Sequence, residues 1–219
     1  MLKRDVPKIV DAEVRRGEVV EAVFRIIAVD GLERASLREV ADEAGLAVGS
    51  VRHYFASSEE LLSYSFATVV DRILLRLSDA QAKLETLKPG APGHHEAVLT
   101  LLGEMLPLDE ERAVDACVWM AFKNAARIRP FLAAEADRSH RGVAAVVGQL
   151  VTALVPDDGS GRHSLVIEAE RLLATIDGLC MHALLQPEWM TAQMCHDVLE
   201  RHLAGMSAGQ AVNVGQLRE

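Results

Sequence analysis

The chain has 219 residues, 50% of them hydrophobic and 4% aromatic, with a formal net charge of −9. That length and apolar fraction suit one small and one larger helical body and exclude a disordered chain. No apolar run approaches the ~20 residues of a membrane span, and the N-terminus lacks the apolar core of a signal peptide, which points to a cytoplasmic protein without a membrane partner.

Lys3, Arg4, Lys8, Arg15 and Arg16 cluster before and at the start of the first helix, and read either as a solvated arm or as an arm that tracks a DNA groove. The first helix is expected over Val14 to Val29, with Val19, Val23, Ile26 and Ile27 on one apolar side. Ser36 followed by Glu39 forms a capping box, so a second helix starts there, and Gly45 ends it because a left-handed residue costs glycine nothing. Around that turn Val40, Ala44, Leu46 and Val51 supply the buried side of two crossing helices, and Ala41 is small enough to let their backbones approach. This spacing predicts a helix-turn-helix, complete by about Tyr54. Val48, Gly49, Ser50 and Arg52 become candidates for base contact, while Ser36, Arg38, His53 and Tyr54 are candidates for the DNA backbone. Ser57 and Glu60 repeat the capping box and announce a long fourth helix through Leu61, Leu62, Phe66, Val69, Val70, Ile73, Leu74 and Leu77.

With those residues in place, the stretch from about Arg15 to Leu62 resembles the DNA-binding domain of the TetR family of transcriptional regulators. The segments GLERASLREVADEAGLAVGSV and RHYFASSEELL are similar to the family's helix-turn-helix and to its junction with the fourth helix. Ser58 stands where the family usually carries lysine, which removes one phosphate contact, although the helix amides there still favour an anion. Ala47 replaces a common serine or threonine cap. Arg52 replaces the commoner tyrosine, and its guanidinium suits a phosphate or the bidentate edge of a guanine.

Charge lends only local support to DNA binding. Residues 1–66 hold nine Lys and Arg against twelve Asp and Glu, and the remainder fourteen against twenty, so neither part is basic. Phosphate neutralisation therefore has to come from how a few cations are distributed.

Beyond the head, KPGAPG at 88–93 ends the fourth helix near Lys83 to Leu87. Helices are expected at about 94–106, 109–127 and 130–154, with Asp109 as a cap and Pro130 in a first turn. A polar loop at 156–162 precedes helices near 163–185 and 190–205. The fold expected is all-α, about nine helices: a DNA-binding domain over 1–56, a ligand-binding and dimerisation domain over 57–208 and a tail over 209–219.

Leu172, Ile176 and Leu179 on the eighth helix, with Met194 and Val198 on the ninth, are the expected homodimer surface, and Asp177-Gly178-Leu179 resembles a family segment that permits close helix approach. The run from Leu106 to Arg138 resembles the C-terminal domain of the BetI-like branch of the family. It carries Trp119, Met120 and Phe122, which with Phe66, Met105 and Met181 offer apolar surface to a small-molecule effector. Arg127, Asp177 and His182, with Asn124, would orient a polar group.

Enzyme chemistry has no foothold. No histidine pair has the i, i+4 spacing of an HExxH site, and glycine-rich phosphate loops, nucleophile elbows and CxxC pairs are missing, so no metal or cofactor is expected. Cys117, Cys180 and Cys195 read as buried reduced thiols. The resemblance implies a homodimeric repressor released from a palindromic double-stranded operator by an effector. An activator or effector-independent regulator of the same fold, or a helical ligand- or protein-binding module that no longer grips DNA, is the alternative.

Overall fold

The computed structural model describes residues 12–155 and 162–208, and these hold nine α-helices. The basic residues Lys3, Arg4 and Lys8, most of the loop at 156–162 and the tail at 209–219 lie outside them. In chain order the helices are α1 (Ala12–Asp30), α2 (Leu37–Glu43), α3 (Val48–Tyr54), α4 (Ser58–Glu85), α5 (His94–Gly103), α6 (Glu110–Ala126), α7 (Ala133–Leu154), α8 (Arg162–Leu185) and α9 (Ala192–Ala208). Short 3₁₀ turns cover Leu32–Arg34 and Pro130–Leu132.

Caps explain most of these limits. Ser57 Oγ accepts from the Glu60 amide at 3.1 Å, and the Glu60 carboxylate accepts from the Ala56 amide at 2.7 Å, a complete reciprocal box at the start of α4. At α2 only half of the expected box forms: Ser36 Oγ accepts from the Glu39 amide at 3.2 Å, while the Ser36 amide donates to Arg34 O. Asp109 caps α6 through the Arg112 amide at 2.8 Å, and this hydrogen bond holds its carboxyl below the usual range. Thr191 caps α9 by accepting from the Met194 amide, which moves the start of that helix two residues past the expected 190. Pro130 opens a 3₁₀ turn, and α7 proper starts only at Ala133.

The chain divides into two compact units. The first holds the described residues up to Val69 together with Val118–Ala133. It is larger than the 1–56 head expected from sequence, because long-range pairs that local patterns do not announce draw in part of α4 and α6. Phe66 and Phe122 stack with ring centroids 5.0 Å apart and no solvent exposure, and Arg129 donates to Glu33. The α1 core of this unit is Val19, Val20, Ala22, Val23, Phe24, Ile26 and Ile27.

The second unit comprises Val70–Cys117 and the described residues from Ala134 onward. Asp115 is buried, and its carboxylate meets Arg76 at 2.6 Å and Arg72 at 3.6 Å, joining α6 to α4. Glu104 extends that set to Arg76 and Arg112, which tightens the turn between α5 and α6. Gly142 lets α7 approach α4 closely, since a Cβ there would lie 2.6 Å from Leu74 Cδ2.

The Phe66 and Phe122 pair supplies a direct check on the first unit. Phe122→Ala is expected to lower unfolding free energy by about 3–5 kcal/mol in urea denaturation. A loss below about 1 kcal/mol would show the ring to be loosely held and open to a ligand.

Candidate nucleic-acid interface

The turn between α2 and α3 is built by its backbone. Gly45 takes φ +65°, the Leu46 amide donates to Ala41 O at 2.9 Å and the Gly45 amide to Asp42 O at 3.2 Å, a Schellman pair that satisfies the last carbonyls of α2. Val40, Ala41 and Val51 have no solvent exposure, whereas Ala44 and Leu46 are half-buried, so the crossing is sealed chiefly by the first three. The opposite side of α3 stays open: Gly49, Ser50, Arg52 and His53 are exposed, and Val48 and Tyr54 are half-buried.

Arg16 holds this pair against the rest of the unit. Its guanidinium lies 5.2 Å from the Phe55 ring centroid and 4.7 Å from that of Tyr64, and Phe55 closes α3 with no exposure. By sequence Arg16 groups with the basic residues near the terminus; the structure uses it as a clamp on the junction of α3 and α4. A cation followed some forty residues later by aromatic residues carries no local signature, which is why its role escapes sequence reading.

The surface cations sort into two groups. Arg15 pairs with Glu18 at 2.6 Å, Arg25 with Glu43 at 2.6 Å and Arg34 with Glu39 at 3.6 Å, so their charge is largely offset within the chain. Arg38 and Arg52 are exposed and have no carboxylate partner among the described residues. Arg52 therefore presents uncompensated charge on the open side of α3, and Arg38 does so from the first turn of α2, which an acidic total conceals. Ser36 is exposed too, but its hydroxyl already accepts the α2 capping bond and retains its proton for donation to a phosphate.

The expected effector residues fall in both compact units. Phe66 and Phe122 are spent on each other, Trp119 is half-buried with Lys123 Nζ 4.0 Å from its ring centroid, Met120 is half-buried and Arg127 is exposed and bonded to Asn124, all in the first unit. Met105 is half-buried, and Asp177 and His182 are exposed, in the second. Instead, the second unit holds a cavity of about 440 Å³ lined by Leu84, Leu87, Leu101, Leu150 and His94, with Gln81 and Gln149 joined at 2.6 Å on its wall. None of the expected effector residues lines it. Helix periodicity identifies apolar faces but not which of them is left without a partner.

The expected dimer residues divide likewise. Leu172, Ile176 and Leu179 are buried at 0%, 3% and 5% exposure within the single chain, so they form its own core and have no area left for a partner. Val198 is half-buried, and Met194 is 38% exposed. Large exposed apolar residues lie elsewhere on and beside α8, namely Val166, Ile167, Met181, Leu185 and Trp189. The three cysteines are free thiols, and burial pushes Cys117 and Cys195 up, which keeps them protonated and poorly nucleophilic.

Residues 19–64 match the family model described as bacterial regulatory proteins of the tetR family, and residues 94–208 match the model of the C-terminal domain of BetI-type transcriptional repressors. The HTH-type transcriptional regulator PksA of Bacillus subtilis is 36% identical over 90% of this chain and 92% of its own. A transcriptional regulator from Rhodococcus superposes with a TM-score of 0.72 at 30% identity, covering 89% of this chain and 96% of that one. The multidrug binding protein EbrR, solved with imidazole, gives a TM-score of 0.58 at 25% identity over 86% of this chain and 94% of its own.

The α4 box fixes where α3 hands over to α4 and is open to a direct measurement. Glu60→Ala leaves the Ala56 amide without its carboxylate and is expected to cost about 0.5–2 kcal/mol in unfolding free energy. Glu60→Gln, which keeps an acceptor, should recover most of that loss.

Proposed function

Because this chain belongs to the TetR family of DNA-binding transcriptional regulators, we propose that it works as a homodimeric repressor that a small molecule releases from a palindromic operator. The observation that carries this reading is the open side of α3, where Gly49, Ser50, Arg52 and His53 are exposed while Val51 is sealed beneath them. Gly49 and Ser50 are small enough for close approach to base edges, and Arg52 has the two parallel donors that match guanine O6 and N7. In this reading Arg38, Ser36, His53 and Tyr54 make the phosphate contacts that set the register of the helix in the groove.

A single α3 of seven residues covers too few base pairs for a unique site, so two copies one DNA turn apart are required. Met181, Leu185 and Trp189 at the end of α8, with Met194 on α9, offer the apolar surface for a symmetric contact of helices. They take the part that the sequence pattern assigns to Leu172, Ile176 and Leu179.

The cavity beside Leu101 and Leu150 is the effector site in this reading, its leucines suiting an apolar body and its two glutamines and His94 a polar end. EbrR, a multidrug binding protein by name and bound to imidazole, supports a small organic effector. Such a molecule lowers operator affinity only by its preference for the weakly binding state. A hundredfold release needs a differential of about 2.8 kcal/mol.

Two measurements follow from these assignments. Arg52→Ala is expected to cost about 1–3 kcal/mol in a gel shift on the DNA upstream of its own gene, with unchanged far-UV circular dichroism; unaltered affinity would remove Arg52 from the reading surface. Leu185→Asp should turn a dimer into a monomer in sedimentation velocity, and a variant that stays dimeric would move the interface away from the end of α8.

A further inference from the structure

The second unit gathers metal-ligating side chains at a place that neither DNA nor effector binding uses. His196, Asp197 and Glu200 of α9 bring one potential donor atom each to within 4.8 Å of one another. His196 and Glu200 are four apart and share one face of the helix, with Asp197 beside them. From α5, His95 Nε2 approaches Glu200 Oε1 to 3.9 Å.

We propose that His95, His196, Asp197 and Glu200 bind a late first-row divalent cation, with zinc the best match, and that the ion staples α5 to α9. Two imidazoles and two carboxylates are the mixed nitrogen and oxygen set that zinc accepts in tetrahedral sites. A tetrahedral shell with bonds near 2.1 Å separates its donors by roughly 3.4 Å, so the three α9 donors need to close by only about 1–1.5 Å, while the exposed His95, which approaches the group through Glu200, must swing in to become the fourth. Room for that adjustment exists, since His95, Asp197 and Glu200 are exposed and His196 is partly so.

Three independent features favour a cation here over a chance cluster. The Nδ1 atom of His196 is shut off from solvent and has no hydrogen-bond partner, and Asp197 Oδ1 lies 3.8 Å away, beyond hydrogen-bond reach. Among the described residues, neither Asp197 nor Glu200 has a Lys or Arg partner, so in a chain already at −9 these two carboxylates have only histidines beside them. Gln193 Nε2 donates to Asp197 Oδ1 at 2.8 Å, the outer support that orients a ligating carboxylate.

Calorimetric titration of untagged, EDTA-stripped protein with zinc chloride tests the site. About one ion per chain is expected, together with a raised thermal midpoint, and magnesium chloride should give neither because it demands octahedral oxygen ligands. His196→Ala and Glu200→Gln should each weaken zinc binding by about tenfold or more, while His140→Ala, an exposed histidine on α7, should leave it unchanged. The side chains are at the surface, so these variants are expected to fold, and circular dichroism checks that they do. Zinc uptake that is not saturable, or that survives both substitutions at full affinity, would overturn the proposal.

Discussion

The contact of α2 with α3 governs what this molecule presents to DNA. Val40, Ala41 and Val51 are completely buried there, and burying each valine is worth about 1.5–3 kcal/mol. Gly45 in the left-handed conformation returns the chain across that contact without strain. Once those three side chains are fixed inward, the period of a helix fixes Gly49, Ser50, Arg52 and His53 outward. The surface proposed to read DNA is thus set by what is hidden beneath it, and Arg16, wedged over Phe55 and Tyr64, transmits the same constraint to α4.

Electrostatics refine that picture. Residues 1–66 are net acidic, which argues against strong nonspecific attraction to a duplex. Among the described residues, Arg15, Arg25 and Arg34 are tied to Glu18, Glu43 and Glu39, whereas Arg38 on α2 and Arg52 on α3 have no carboxylate partner. A net acidic head places more of its affinity on direct base contacts and, in the proposed dimer, on the pairing of two heads. Specificity relative to nonspecific binding gains from the same economy.

What can be read from sequence is what local pattern determines. The capping residues Ser36, Ser57 and Asp109, the turn at Gly45 and the apolar stripe of α4 all announce themselves over a few positions, and each fulfils its expected part in the structure. The exposed side of α3 follows from the same periodicity. Pairings across long sequence separations do not. An apolar residue on a helix reads the same whether it fills its own core, as Leu172 and Ile176 do, or faces outward, as Leu185 does. Phe66 and Phe122 illustrate the same ambiguity, since a stacked core pair and a ligand-facing pair have identical sequence patterns. The grouping of His196 with Glu200 is hidden as well, because a search for paired histidines passes over a histidine with a carboxylate one turn away.

The central claim is that α3 enters the major groove twice, once from each subunit of a pair. Hydroxyl-radical footprinting of the purified protein on DNA upstream of its gene examines this directly. Two protected half-sites related by a two-fold axis, centred about one helical turn or a small multiple of it apart, are the expected pattern. A single protected patch without symmetry, or uniform cleavage at protein concentrations that saturate nonspecific DNA, would contradict it.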